Sequence, residues 1–157
     1  MLPFSVVAIE AANEGDVAAL LPLMRAYCEF YESDPSDDGL ERMARTLIAA
    51  PDEDGLLLVA RDAAGAPVGF AAVGWKWSSL RGARVAILED LFVAPEHRGR
   101  RIAAELIHAC ADRTRELGAP SMLWMTALDN ERAQAAYERT GATAERWLEY
   151  ELELDQR

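Results

Sequence analysis

The sequence predicts an α/β (α+β) fold: a mixed central β-sheet of six to seven strands flanked by about four α-helices, in one domain spanning residues 1–157. Three observations lead there. Short β-branched runs alternate with longer stretches of helical apolar spacing, in the order β-α-α-β-β-β-α-β-α-β. Glycine or proline stands at most junctions between them. Apolar residues make up 51% of the chain, enough for one sizeable core, and no repeat, linker or low-complexity tract divides it.

The elements follow in order. Ser5 to Ala11 is a β-branched run and predicts a first strand. Asn13 caps a helix, with Asp16 three residues on in capping-box fashion, and the helix runs to Glu32 with an expected kink at Pro22. Residues 36–50 place Leu40, Met43, Leu47 and Ile48 at helical spacing. Gly55 to Arg61 is a strand, Asp62 to Pro67 a hairpin turn, and Val68 to Trp77 the returning strand. Ser78 to Arg84 turns again into a strand over Val85 to Val93, ended by Pro95. A long helix from Arg100 to Leu117 stops at Gly118, and a shorter one from Asn130 to Thr140 stops at Gly141. Between them Ser121 to Thr126 reads as a strand. The tail alternates Leu148, Tyr150, Leu152 and Leu154 with Glu149, Glu151 and Glu153, the pattern of a last strand with one buried face.

Charge and cysteine usage exclude several classes. A net charge of −11 argues against a nucleic-acid partner, which needs a basic face. It suits a cationic substrate, and it equally suits plain solubility. Cys28 and Cys110 have neither metal nor CxxC spacing, and His97 and His108 lack metal or triad partners, so no metal is expected. The first residues have no basic start followed by an apolar core, as a signal peptide would, and no run approaches a membrane span. A cytoplasmic protein without a membrane partner is the expectation.

The most informative segment is residues 93–106. A strand ends at a proline, a turn carries Arg98 and Gly99, and a helix opens at once. The first amides of a helix have no internal partner and sit at its positive end, so such a turn can cradle a pyrophosphate. Arg98, Arg100 and Arg101 invert the sign of charge locally. An ordinary helix start with a solvated basic face would look the same.

At this point the chain resembles a family. Arg98-Gly99-Arg100-Arg101-Ile102-Ala103 is similar to the R-G-x-G-x-G/A phosphate loop of GNAT acetyltransferases, which binds the pyrophosphate of acetyl-CoA. Leu88 to Val93 resembles the preceding strand of the diamine acetyltransferases. Leu117 to Ser121, then Trp124, Thr126, Asn130, Ala133 and Tyr137 ahead of Gly141, resemble the second half of that core, especially in a fungal histone- and polyamine-acetylating subgroup. One departure stands out: the family's second loop glycine is Arg101 here, so its guanidinium either points outward or meets a phosphate itself.

The resemblance implies roles. Acetyl-CoA would lie along Leu91, Phe92 and Val93, whose backbone would hold the thioester oxygen, with its phosphates on Arg98 to Ala103. Asn130 would contact the pantetheine arm, and it also suits a helix cap. Glu89 would assist deprotonation of the amine. A primary amine of pKa near 10.4 is free in only about 1 molecule in 2,500 at pH 7. Tyr137 would protonate the leaving thiolate. Tyr27, Glu29, Tyr31, Glu32 and Asp34, at the end of the first helix, would wall the acceptor, where carboxylates and rings suit a cation. A solvated helix end is the plain alternative. Asp90 alternates to the opposite face from Glu89 and reads as structural, and Trp75, Trp77 and Trp124 read as core. The expected reaction is direct attack on acetyl-CoA by the primary amine of a small cationic acceptor; a basic peptide's lysine or N-terminal amine, an amino acid or an aminoglycoside are the alternatives. A non-catalytic acyl-CoA-binding module is the rival. The last strand could pair with a second copy to make a homodimer, or its glutamates could block that edge.

Overall fold

The structure, a computed structural model, describes residues 8–154. The chain divides into two compact units, Met1–Met125 and Thr126–Arg157.

The first unit holds a five-stranded sheet in sequential order, β1 (Ala8–Ala11), β2 (Gly55–Arg61), β3 (Pro67–Ser78), β4 (Ala83–Val93) and β5 (Met122–Leu123). The first four pair antiparallel and β5 runs parallel to β4, so the sheet is mixed. Helices α1 (Val17–Phe30) and α2 (Asp37–Ala49) place Leu20, Met24, Leu40 and Ala44 against Leu57, Val59, Phe70, Ala72 and Phe92. Helix α3 (Ile102–Glu116) packs on β2, β3 and β4 through Ile102, Leu106 and Cys110. Strand β2, covered on both sides, is apolar from Leu56 to Ala60 without alternation.

Local chemistry sets the boundaries. The Asn13–Asp16 capping box is present, around a 3-10 turn that precedes α1. Ser36 caps α2. Gly118 and Gly141 take positive φ, 84° and 92°, after α3 and after α4 (Glu131–Glu138). Gly55 has φ 146°, and a Cβ there would stand 1.9 Å from the Val73 carbonyl oxygen. Only a glycine lets β2 start so close to β3.

Several expectations are corrected. The sheet has five strands among the described residues, not six to seven. Ser5–Val7, the start of the expected first strand, lie outside the described residues. The strand expected over Ser121 to Thr126 shrinks to two residues. The alternating tail forms no strand: its apolar side chains from Trp147 to Leu154 are exposed. Among its described residues the second unit contains α4 and no strand, so within it the described tail has no ladder to join. Trp77 is not core but 78% exposed, because β3 and β4 run on past the buried stretch of the sheet. Trp75 is half-buried, donates from Nε1 to the Pro51 carbonyl at 2.8 Å and lies under the Arg84 guanidinium.

Candidate active site

Strand β4 builds the centre of the site through a defect. Ala72 of β3 faces Asp90, but Val73 faces Leu88, so Glu89 has no partner in the ladder. It is the extra residue of a β-bulge. The backbone shows the consequence. Ala86 N–H donates to the Ser121 carbonyl on the β5 side, whereas Ala94 N–H donates to the Val68 carbonyl on the β3 side. Two even-numbered residues point to opposite edges because one residue has been inserted between them. Alternation back from Ala94 turns the N–H groups of Leu91 and Val93 away from β3. Strand β5 pairs with β4 only at Ala86 and Ile87. From Leu88 onward, that edge of β4 has no strand neighbour among the described residues of the first unit.

The Glu89 side chain is exposed and lies over Gly74, where a Cβ would stand 3.8 Å from its Cγ and Oε1. Tyr27 reaches the bulge from α1. Its ring packs edge-on against Phe70 and Phe92, at centroid distances of 6.1 and 6.5 Å. Its hydroxyl donates to the Glu89 backbone carbonyl at 3.2 Å. Burial, then the charge of Asp90, pushes the Tyr27 phenol well above the ordinary range, so it keeps its proton at any working pH.

Asp90, set aside as structural on alternation alone, is the perturbed carboxyl of the site. Burial pushes its pKa up to about 6, the Tyr27 hydroxyl acts in the opposite direction, and the charge of Glu89 adds to the rise. The signal available in the sequence was the pair of adjacent acids at a strand end. What it lacked was the bulge, which defeats the alternation rule at that spot.

The turn after β4 carries Arg98 to Ala103, the residues of the expected phosphate cradle. Arg98 bends back: its Nε donates to the Val93 carbonyl at 2.9 Å and its guanidinium lies 5.5 Å from the Phe92 ring centre. It therefore clamps the strand end while remaining exposed, as Arg100 and Arg101 are. Gly99 has φ 79°, and a Cβ there would meet nothing within 4 Å. Arg101 is left-handed at φ 63° and precedes α3 without a side-chain cap. The position that departs from the glycine pattern thus keeps a glycine-like backbone. Ile102 is buried under the helix and Ala103 half-buried.

At the end of α1, the Tyr31 ring lies 5.0 Å from both Tyr27 and Phe30. Phe30, Tyr31, Glu29 and Glu32 are exposed. Asp34 is paired with Arg25 at 3.2 Å, and Arg25 also engages Asp37 and the Pro35 carbonyl. Its charge is therefore less available to a ligand than those of Glu29 and Glu32.

In the second unit, Asn130 caps α4 by accepting from Ala133 N–H at 3.2 Å, and Gln134 donates to the Ala127 and Leu128 carbonyls. Tyr137 is half-buried in the last turn of α4. Burial raises both thiols, Cys28 above its ordinary value and Cys110 to about 12. Among the described residues no cluster of His, Cys, Asp or Glu is placed to hold a metal ion, and no helix is long and apolar enough to cross a membrane.

Comparison with known proteins places these features in context. The sequence model of the Acetyltransferase (GNAT) family matches residues 20–142. The uncharacterized N-acetyltransferase YhfO of Bacillus subtilis is 30% identical over 133 residues, 85% of this chain and 87% of that one. Thialysine N-epsilon-acetyltransferase of Bos taurus is 31% identical over 144 residues, 87% and 84% of the two chains. Among solved structures, the aminoglycoside N-acetyltransferase AAC(6')-Iy in complex with CoA superposes with a TM-score of 0.82 at 22% identity, over 98% and 99% of the chains. The polyamine and histone subgroup suggested by residues 117–141 finds no support in these matches.

Proposed function

The chain belongs to the GNAT acetyltransferase family and is an acetyl-CoA-dependent N-acetyltransferase, and on that premise we propose that it acetylates the primary amine of a small cationic acceptor by direct attack in a ternary complex. The observation that carries this reading is the β4 bulge. It sets an exposed carboxylate, Glu89, at the start of a sheet edge that pairs no strand among the described residues of its unit. Acetyl-CoA supplies the activated acetyl group. Leu91 and Val93 N–H offer donors to its amide arm and to the oxygen that gains charge during attack. The uncapped first turn of α3, Gly99, Arg100 and Arg101 offer the phosphates positive partial and full charge.

Glu89 accepts the amine proton, directly or through one water. Neither thiol is ionised near neutral pH, which favours direct transfer over an acyl-enzyme. The exposed rings and acids at the end of α1 favour a cation. A relative named for the ε-nitrogen of thialysine points the same way.

The test is release of free CoA from acetyl-CoA with spermidine, L-lysine, thialysine, kanamycin, a neutral amino acid and a lysine peptide. We expect a cationic small amine to have the highest kcat/KM. Glu89→Gln should lower it by roughly 10²-fold or more at pH 7, with the defect shrinking at high pH as free amine accumulates. A wide preference for the neutral amino acid, or an indifferent Glu89→Gln at every pH, rejects the acceptor model. Preference for the peptide reassigns the enzyme to protein substrates.

A further inference from the structure

A bulge is useful to catalysis only if it is held still. The extra residue weakens the ladder at the point where the carboxylate and the amide donors must keep their places. Within β4 nothing replaces the missing pairing of Glu89. The replacement comes from 62 residues away in sequence: the Tyr27 hydroxyl donates to the Glu89 carbonyl oxygen. The ring that carries it is fixed on three sides, by Phe70, Phe92 and Tyr31. Phe70 and Phe92 sit opposite one another in the β3–β4 ladder just beyond the bulge. Tyr27 thus grips β4 at two points, the carbonyl of the inserted residue and the ring two residues after Asp90.

We propose that Tyr27 is a positioning residue for acetyl transfer, its hydroxyl holding the Glu89 carbonyl so that the Glu89 carboxylate and the Leu91 N–H stand in fixed places. The inference rests on the reading of β4 as the transfer site and assigns to α1 a task beyond walling the acceptor. The hydroxyl does not touch the reacting atoms. It acts through the backbone of the residue that does, and near-attack geometry makes rate sensitive to displacements of about 1 Å.

The groups facing this hydroxyl make the hold measurable without turnover. Asp90 and the Glu89 backbone carbonyl face it from β4, and Cys28 and Tyr31 from α1, while the β3 neighbour of Asp90, Ala72, brings no charge. The hydroxyl shares its proton between the Glu89 carbonyl and the neighbouring Asp90 carboxyl, whose upward shift it opposes. Removing it should therefore raise that titration further, which reports the hydroxyl's place at the bulge.

The experiment compares Tyr27→Phe, which keeps the ring, with the unaltered enzyme. We expect kcat to fall roughly 10- to 100-fold, the scale set by misplacement of reacting groups. The calorimetric Kd for acetyl-CoA should stay within about twofold, since the loop at Gly99 is untouched. In the unliganded protein, amide exchange at residues 89–92 should quicken while that of β2 is unchanged, and the NMR titration of Asp90 should move up. A kcat within about twofold of the parent, or unchanged exchange and titration, overturns the proposal. So does a kcat loss matched by an equal loss of acetyl-CoA affinity, or loss of the cooperative melt, which would make the hydroxyl a general stabilising element. If the unaltered enzyme turns over none of the amines, the acceptor reading has failed. Exchange and titration then decide the hold of Tyr27 on the bulge by themselves.

Discussion

At the scale of single residues, two side chains sit where stability alone would not put them. Asp90 is the first. Its folded pKa is raised to about 6 from an ordinary 3.8, so its contribution to stability is full below pH 3.8 and is lost as pH rises through about 6. Above that, the buried charge is a net cost. Asp90→Asn should therefore raise stability by the order of 1–3 kcal/mol at pH 8, with the gain vanishing below about pH 4. Urea melts at the two pH values check it, and an equal effect at both would mean Asp90 titrates normally. Arg101 is the second. A left-handed non-glycine residue costs about 1–2 kcal/mol, partly balanced by the greater unfolded-chain entropy of a glycine replacement. Arg101→Gly should leave the urea midpoint unchanged or higher. It should also weaken acetyl-CoA binding by roughly fivefold at low salt, less at high salt, if the guanidinium meets a phosphate. A lower midpoint would contradict the strain, and an unchanged Kd would return Arg101 to solvent.

At the scale of elements, what could be read in the sequence was what local chemistry decides. The Asn13 cap, the glycines after α3 and α4, and the strands β2 to β4 follow from side chains acting within a few residues of themselves. Two things depend on distant partners and could not be read so. The bulge at Glu89 arises from the register of β4 against β3, and the string LEDLFV looks like any regular strand. The tail has strand-like alternation, yet alternation does not supply a neighbour to bond with. The candidate site was legible in the same proportion. The loop at Gly99 and the acid at Glu89 follow from motif resemblance, while the contact of Tyr27 with the Glu89 carbonyl and the perturbed Asp90 carboxyl appear only when α1 lies on β4. A local test of the β2–β3 junction is available at Gly55. A Cβ placed 1.9 Å from the Val73 carbonyl at φ 146° has no room to relax cheaply. Gly55→Ala should cost about 3 kcal/mol or more, which a denaturant titration would show. A cost below about 1 kcal/mol would mean β2 can start elsewhere.

At the scale of the molecule, an acidic chain of net charge −11 gathers three arginines within four residues at one turn. Ligand binding there should be visible as global stability. Acetyl-CoA at about 100 times its Kd should stabilise the fold by about 2.7 kcal/mol, which for a chain of this size is a rise in Tm of roughly 5–10 °C. Gly99→Glu fills open space with a like charge, so the protein should still melt cooperatively but lose that rise. Comparing shifts rather than absolute Tm values removes the cost of the left-handed backbone at residue 99. A full shift in the Gly99→Glu protein would place the phosphates elsewhere.

The β4–β5 pairing ends at Ile87, two positions before the inserted residue, and a bulge bends and twists the strand that holds it. The chain is therefore one residue away from a continuous β3–β4 ladder. Replacing Glu89 removes a carboxylate and leaves the bend. Losing the residue altogether would bring Leu88 and Asp90 into unbroken register with Val73 and Ala72, and would let β4 straighten toward β5. The two kinds of lesion leave different traces over generations. If Glu89 is the base, a lineage silenced by its substitution would keep the bend and could regain activity by reversion at one codon. A lineage silenced by a three-nucleotide deletion would carry a more regular sheet than its ancestor, and no point mutation would restore what it had lost.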